Sequence, residues 1–161
     1  MADLLDGLVL GLHLVSMHVP ANDGLNNNNP GIYVRHEAGW TAGMYYNSLE
    51  RISVYGAYTF TTEVVSPKLP LSLTVGAITG YQRRKETFDC KHGEDRGRTG
   101  SRCYRIVGYS SAPVTAMVAP SLAFPAVELA TGFLPRLSYI PSVGVGNEFT
   151  VLHLSIERAL R

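Results

Sequence analysis

Residues Trp40–Phe60 read WTAGMYYNSLERISVYGAYTF. Apolar and polar positions alternate with period two on either side of Asn47-Ser48-Leu49-Glu50, the pattern of two antiparallel strands joined by a short turn. In the second run Ile52, Val54, Tyr58 and Phe60 share one face, and Arg51, Ser53, Tyr55, Ala57 and Thr59 share the other. On an open sheet that polar face would lie in water. If the sheet closes on itself, the same face becomes an enclosed lumen in which every charge needs a partner.

The alternation recurs along the chain. Leu8–His18 places Leu8, Leu10, Leu12, Leu14, Ser16 and His18 opposite Gly7, Val9, Gly11, His13, Val15 and Met17. Pro20–Pro30 is an Asn-rich loop whose residues bond their own backbone readily. Gly31–Glu37 sets Ile32, Val34 and His36 against Tyr33 and Arg35. Leu71–Gln82 sets Leu71, Leu73, Val75 and Ala77 against Ser72, Thr74, Gly76 and Ile78, and the small residues on its polar side suit a crowded interior. Tyr104–Tyr109, Pro113–Ala123, Ala126–Leu134 and Arg136–Ile140 are further candidate strands. Glu148–Glu157 closes the series with Phe149, Val151, His153, Ser155 and Glu157 opposite Thr150, Leu152, Leu154 and Ile156. About eight to ten strands and no helix are expected, which makes the chain all-β.

One apolar and one mixed face per strand predicts a small antiparallel up-and-down β-barrel of about eight strands, formed as a single domain over residues 1–161. A sandwich or jelly roll would want both inner faces uniformly apolar. If the first and last strands pair to shut the barrel, His13 or His18 comes close to the segment from His153 to Glu157. Arg35, Arg51, His153, Ser155 and Glu157 are then expected as an interior polar cluster, with Glu157 paired to Arg35 or Arg51.

Composition agrees with many short strands. Gly is abundant at 16, Tyr at 9 is high, and charged residues make up only 17% of 161 residues. The formal net charge of +1 supplies no field to recruit nucleic acid, which is not an expected partner. The balance is uneven: Tyr81–Arg105 carries eight Lys/Arg against four Asp/Glu, a local +4 that leaves −3 for the remainder. No apolar run approaches the ~20 residues of a spanning helix. The first residues, MADLLDGLVLGLHLVS, carry Asp3 and Asp6 where a signal peptide would carry Lys or Arg, so no export signal is expected.

Both cysteines, Cys90 and Cys103, fall in the basic stretch. A disulfide between them would close a short loop and stabilise by roughly 3 kcal/mol; free thiols are the other reading. With His92 they make three candidate ligands and match no zinc spacing, so no metal or cofactor is expected.

Taken together, GLHLVSMH, NNNNPGIYVR, GMYYNSLERISVYGAYTF, LTVGAITGY and VLHLSIE resemble an uncharacterised group of short proteins encoded by tailed bacteriophages of Gram-negative hosts. Their order also resembles the lipid A palmitoyltransferase (PagP-like) family of eight-stranded outer-membrane barrels. The matching positions are His18, Gly31, Asn47-Ser48, Gly76 to Gly80 and Tyr139-Ile140-Pro141. That second resemblance implies a barrel fold and, through His18 and Ser48, acyl-transfer chemistry in an outer membrane. Asn47 stands where the family has Asp, and an amide can hold a histidine tautomer but cannot stabilise an imidazolium as an anion does.

Three functions follow as expectations. The first is a non-enzymatic structural or accessory protein of a phage virion, covering its apolar outer face with other virion proteins or with copies of itself. The second is an acyl-chain transferase or hydrolase of the outer membrane, working through His18 and Ser48. The third is a soluble barrel carrying an apolar ligand, which needs a lumen of at least ~300 Å³ lined by apolar side chains. His153, Ser155 and Glu157 share a face and form an alternative catalytic trio. Tyr33, Tyr45, Tyr46, Tyr55 and Tyr58 are candidates for an aromatic girdle at a membrane interface.

Overall fold

A computed structural model of the protein describes residues 6–21, 25–62, 69–89, 98–99, 102–108, 110–141 and 150–160. The strands are β1 (Leu8–Val19), β2 (Asn28–His36), β3 (Trp40–Tyr46), β4 (Ile52–Thr62), β5 (Leu71–Thr79), β6 (Arg84–Asp89), β7 (Arg98–Thr99), β8 (Arg102–Val107), β9 (Val114–Ala123), β10 (Leu134–Ile140) and β11 (Thr150–Ala159), with one helix, α1 (Pro125–Thr131). Eight of the strands close an antiparallel barrel in the order β1-β11-β10-β9-β5-β4-β3-β2. Neighbours in the barrel are neighbours in sequence, apart from the excursion between β5 and β9 and the closure of β1 on β11. The excursion carries its own three-stranded sheet, β6-β8-β7.

Closure decides which face is inside. Along β4, Ser53, Tyr55 and Thr59 are buried, whereas Ile52, Val54, Tyr58 and Phe60 are exposed, Ile52 by 57% and Phe60 by 56%. The polar face lines the lumen and the apolar face is the outer wall. Pairing runs from strand to strand around the ring, so the apolar exterior carries no unpaired edge except where pairing fails. Glycines make room inside. Gly11 and Gly43 lie where a Cβ would meet Tyr33, and at Gly43 also Tyr55, so both rings fit in the lumen.

Simple alternation fails in β1. His13 pairs with Ser155 and Val15 with Leu154, so β1 advances two residues where β11 advances one, and Leu14 is the extra residue of a β-bulge. The bulge reverses the parity of the rest of the strand. His13, Ser16 and His18 therefore all face inward, and Leu12, Val15, Met17 and Val19 all face outward, which corrects the expectation that His13 and His18 lie on opposite faces.

Two further expectations are corrected. The Ala126–Leu134 stretch is not a strand: Pro125 opens α1, and Gly132 closes it at φ 75° with its N–H donating to the Glu128 carbonyl at 2.7 Å. Proline in the first turn and a left-handed glycine after the last are what a helix requires at its ends. The basic stretch contains regular structure before Tyr104, since β6 and β8 pair from Arg84↔Val107 to Asp89↔Arg102.

The wall has one weak seam. β9 and β10 share only three residue pairs, Arg136↔Ala123, Leu137↔Leu122 and Ser138↔Ser121, all near α1. Beyond them Pro120 in β9 and Pro141 just past β10 have no N–H to give to a ladder. Residues 37–39 and α1 lie at the end of the barrel where β1 begins and β11 ends, and the β3–β4 turn at residues 47–51 lies at the other.

Candidate functional site

The site sits at the end of the barrel where the last residues of β1 and the β3–β4 turn meet. Within that turn the fully buried Asn47 is structural: its Oδ1 accepts from the N–H groups of Leu49 (2.9 Å) and Arg51 (3.1 Å), and its Nδ2 donates to Ser53 Oγ at 2.8 Å. The Asn47 carbonyl also accepts from Glu50 N–H at 3.0 Å, with Glu50 at φ 58°, so the turn is held at each step. This presents Ser48 inward, buried, beside His18.

His18 Nε2 lies 3.1 Å from Ser48 Oγ, and its Nδ1 lies 2.7 Å from Asn27 Oδ1. An amide oxygen only accepts, so Nδ1 carries the imidazole proton and Nε2 presents a lone pair to the serine hydroxyl. That is the tautomer a general base needs. Two backbone bonds fix the frame: Ser16 N–H donates to the Asn27 carbonyl at 2.8 Å, and Asn26 N–H donates to the Ser48 carbonyl at 3.0 Å. The third member of the set is therefore Asn27, from the Asn-rich loop, and not Asn47.

A second cluster crosses the middle of the lumen. Ser16 Oγ is 2.8 Å from His153 Nδ1, His153 Nε2 is 2.8 Å from His13 Nδ1, and His13 Nε2 is 2.9 Å from the Tyr55 hydroxyl. The His13 ring packs on Tyr33 and Tyr45, with centroids 4.8 and 5.0 Å away. First and last strands do pair, and they bring His13 to His153 as the closure argument requires.

The end near the termini holds the charges. Glu157, 1% exposed, accepts from Arg35 Nε (3.2 Å) and Nη2 (2.6 Å), from Arg136 Nε (3.0 Å) and Nη2 (3.1 Å), and from the Tyr33 hydroxyl (2.9 Å). Arg136 Nη1 donates further to Ser72 and Ser121. Arg35, His153, Ser155 and Glu157 thus lie in the lumen, but His153, Ser155 and Glu157 do not bond one another: Ser155 takes the Tyr33 hydroxyl at 3.2 Å. Arg51 is the correction in this group. It sits beyond the start of β4 at the barrel mouth, where Nη1 donates to the Gln82 carbonyl at 2.8 Å, and Arg136 takes the place expected of it beside Glu157.

A cavity of about 200 Å³ joins these groups; its lining includes Ser48, His18, His13, Met117, Ile78 and Arg35. Ala116 and Val118, exposed on β9, also line it, and so do Ile140 and Pro141 across the seam, so its lining spans the weakly paired β9–β10 junction.

Of the aromatic girdle, Tyr33, Tyr45 and Tyr55 are lumen side chains, whereas Tyr58, 46% exposed, and the half-buried Tyr46, opposite Ile52 in the β3–β4 register, stand on the outer wall. Cys103 is fully buried and disulfide-bonded, and Cys90 and His92 lie outside the described residues. Among the described residues no group of three or more His, Cys, Asp or Glu is placed to hold a metal ion. No helix among them is long and apolar enough to cross a membrane, which says nothing of a barrel that crosses with strands.

No protein-family model matches this chain, and no curated protein matches it either.

What the site can do chemically is set by its own geometry. A serine hydroxyl, an imidazole in the accepting tautomer and an amide oxygen behind it are the groups that a nucleophile, its base and an orienting residue require. The sequence pairs Ser48 with His18, which the structure brings into contact, but it does not point to Asn27 or Arg136. The signal for Asn27 was the run Asn26–Asn29, read as a loop composition when one of its members is a side chain in the site.

Proposed function

We propose that this chain is a membrane-embedded barrel that cleaves or transfers an acyl ester, with Ser48 as nucleophile, His18 as general base and Asn27 orienting it. The observation that carries this reading is the Ser48–His18–Asn27 line opening on the lumen cavity. The sequence favours a non-enzymatic phage component. Asn27 tips the balance, because it holds the His18 tautomer from a position that Asn47, bonded within its own turn, does not occupy.

In the first step Ser48 Oγ adds to the ester carbonyl as its proton passes to His18 Nε2, and Asn27 keeps the ring from rotating. His18 returns that proton to the departing alkoxide, which leaves an acyl group on Ser48. Water or an acceptor hydroxyl, deprotonated by His18, then releases it.

Two features support a bilayer setting. Large apolar side chains cover the outer wall, and each would lose roughly 1.5–3 kcal/mol if left in water instead of a hydrocarbon phase. The β9–β10 seam offers an acyl chain a lateral way from the lipid to the site. The soluble-carrier reading fares less well, since the cavity of about 200 Å³ is below its ~300 Å³ requirement and one end is charged.

The test is hydrolysis of a soluble p-nitrophenyl ester and of phospholipid in mixed micelles by the full chain in detergent. Activity on both that disappears in Ser48→Ala and His18→Ala is the expected result. An inactive wild type, together with the chain's presence by mass spectrometry in purified phage particles, would return the reading to a virion component.

A further inference from the structure

The Ser48 mechanism leaves the four-group chain Ser16–His153–His13–Tyr55 without a role. Its three bonds, 2.8, 2.8 and 2.9 Å, are all of hydrogen-bonding length. Each neutral imidazole carries one N–H. If the Ser16 hydroxyl donates to His153 Nδ1, then the His153 proton is on Nε2 and points at the His13 Nδ1 lone pair. The His13 proton, on Nε2, then points at the Tyr55 oxygen. This donor order runs unbroken, as does its reverse from Tyr55 to Ser16; in the order that starts at Ser16 the serine is the proton source and His153 its base.

We infer that Ser16 is a second acylatable serine, with His153 as its general base and His13 as the positioning residue behind it, open to acyl esters and phosphonyl analogues small enough to enter the lumen. Ser16 is buried yet lines the same cavity as Ser48, and it is the next inward residue to His18 along β1. As its proton moves to His153, the charge that forms is shared with His13, whose lone pair already faces the His153 Nε2–H. Packing on Tyr33 and Tyr45 fixes the His13 ring for this purpose. In the reaction the Ser16 Oγ–acyl bond forms, the ester C–O bond breaks, and the Ser16 proton passes through His153 to the leaving alkoxide.

The experiment uses diisopropyl fluorophosphate on the full chain in detergent. Attack forms a serine Oγ–phosphorus bond and releases fluoride, with the serine proton taken up by the base. The labelled residue is located by peptide mass spectrometry, and folding of each variant is checked by heat-modifiable gel mobility. The expected result is that Ser48→Ala is still labelled, at Ser16, and that adding His153→Asn slows this labelling by at least about 100-fold. Label at Ser48 in the wild type with none on folded Ser48→Ala overturns the inference and leaves the proposed function standing. Label at Ser16 with none ever at Ser48 does the reverse. A folded wild type that takes no label at either serine sinks both.

Discussion

The His18 imidazole and the Asn27 amide are nine residues apart in the chain and 2.7 Å apart in the fold. One contact turns a serine–histidine pair into an oriented set. Without Asn27 the ring can rotate about its own axis or take the other tautomer, and neither offers Ser48 a lone pair. We therefore expect Asn27→Ala to lower kcat on a soluble ester by about 10²- to 10⁴-fold with little change in KM, and Asn27→Asp, which keeps an acceptor at the same reach, to retain most of the rate. Steady-state kinetics decide it. An Asn27→Ala enzyme as fast as wild type would remove the amide from the mechanism.

The seam between β9 and β10 makes a separate prediction about access. Val118 and Tyr139 both face outward beside it, above the last pair Ser138↔Ser121. Cysteines at these two positions, joined by a short bismaleimide, would tie the strands together without touching Ser48 or His18. Phospholipid turnover should fall at least about tenfold while a short soluble ester, which can enter by the mouth, is still cleaved. If both substrates slow equally, or neither does, lipid does not enter through the wall.

Much of the fold was legible because the physical signal was local. β4 and β11 alternate without interruption, and their inward sets, Ser53, Tyr55 and Thr59 on one and His153, Ser155 and Glu157 on the other, follow from period two alone. β1 was not legible in the same way. A bulge at Leu14 costs no hydrophobic residue and leaves no mark in composition, yet it moves Ser16 and His18 to the face of His13. The α1 error had another cause: apolar spacing in a short segment does not separate strand from helix, and the Pro125 and Gly132 bracket was the better guide. Long-range partners were hardest. Nothing near Arg136 in sequence says that it, and not Arg51, meets Glu157, because that choice is made by strand order around the ring.

Glu157 is the one described lumen carboxylate between two guanidinium groups. Removing it leaves Arg35 and Arg136 buried without a counter-charge, a loss of about 3–5 kcal/mol for Glu157→Ala. Replacing Glu157 and Arg136 together, by Leu and Met, removes one of the two stranded guanidiniums and leaves Arg35, the less buried one. The double variant should recover part of that loss, measured by urea unfolding in micelles. A double variant as unstable as Glu157→Ala would mean that the carboxylate acts through packing and not through the ion pairs.

Gly11 and Tyr33 are directly opposed in the β1–β2 register, and a Cβ on Gly11 would fall on the Tyr33 ring. The ring cannot simply swing aside. Its hydroxyl is bound to Glu157 and Ser155, and its other flank is crowded by Gly43, where a Cβ would come within 2.6 Å of the Tyr33 Cβ. Gly11→Ala should therefore cost about 1–3 kcal/mol, the usual penalty for overfilling a packed interior. The same substitution in a Tyr33→Leu background, where the ring is gone, should cost much less, so the double-mutant cycle should show a coupling of at least about 1 kcal/mol. Additive losses would mean that the glycine is needed for its backbone and not for the space it leaves to the ring.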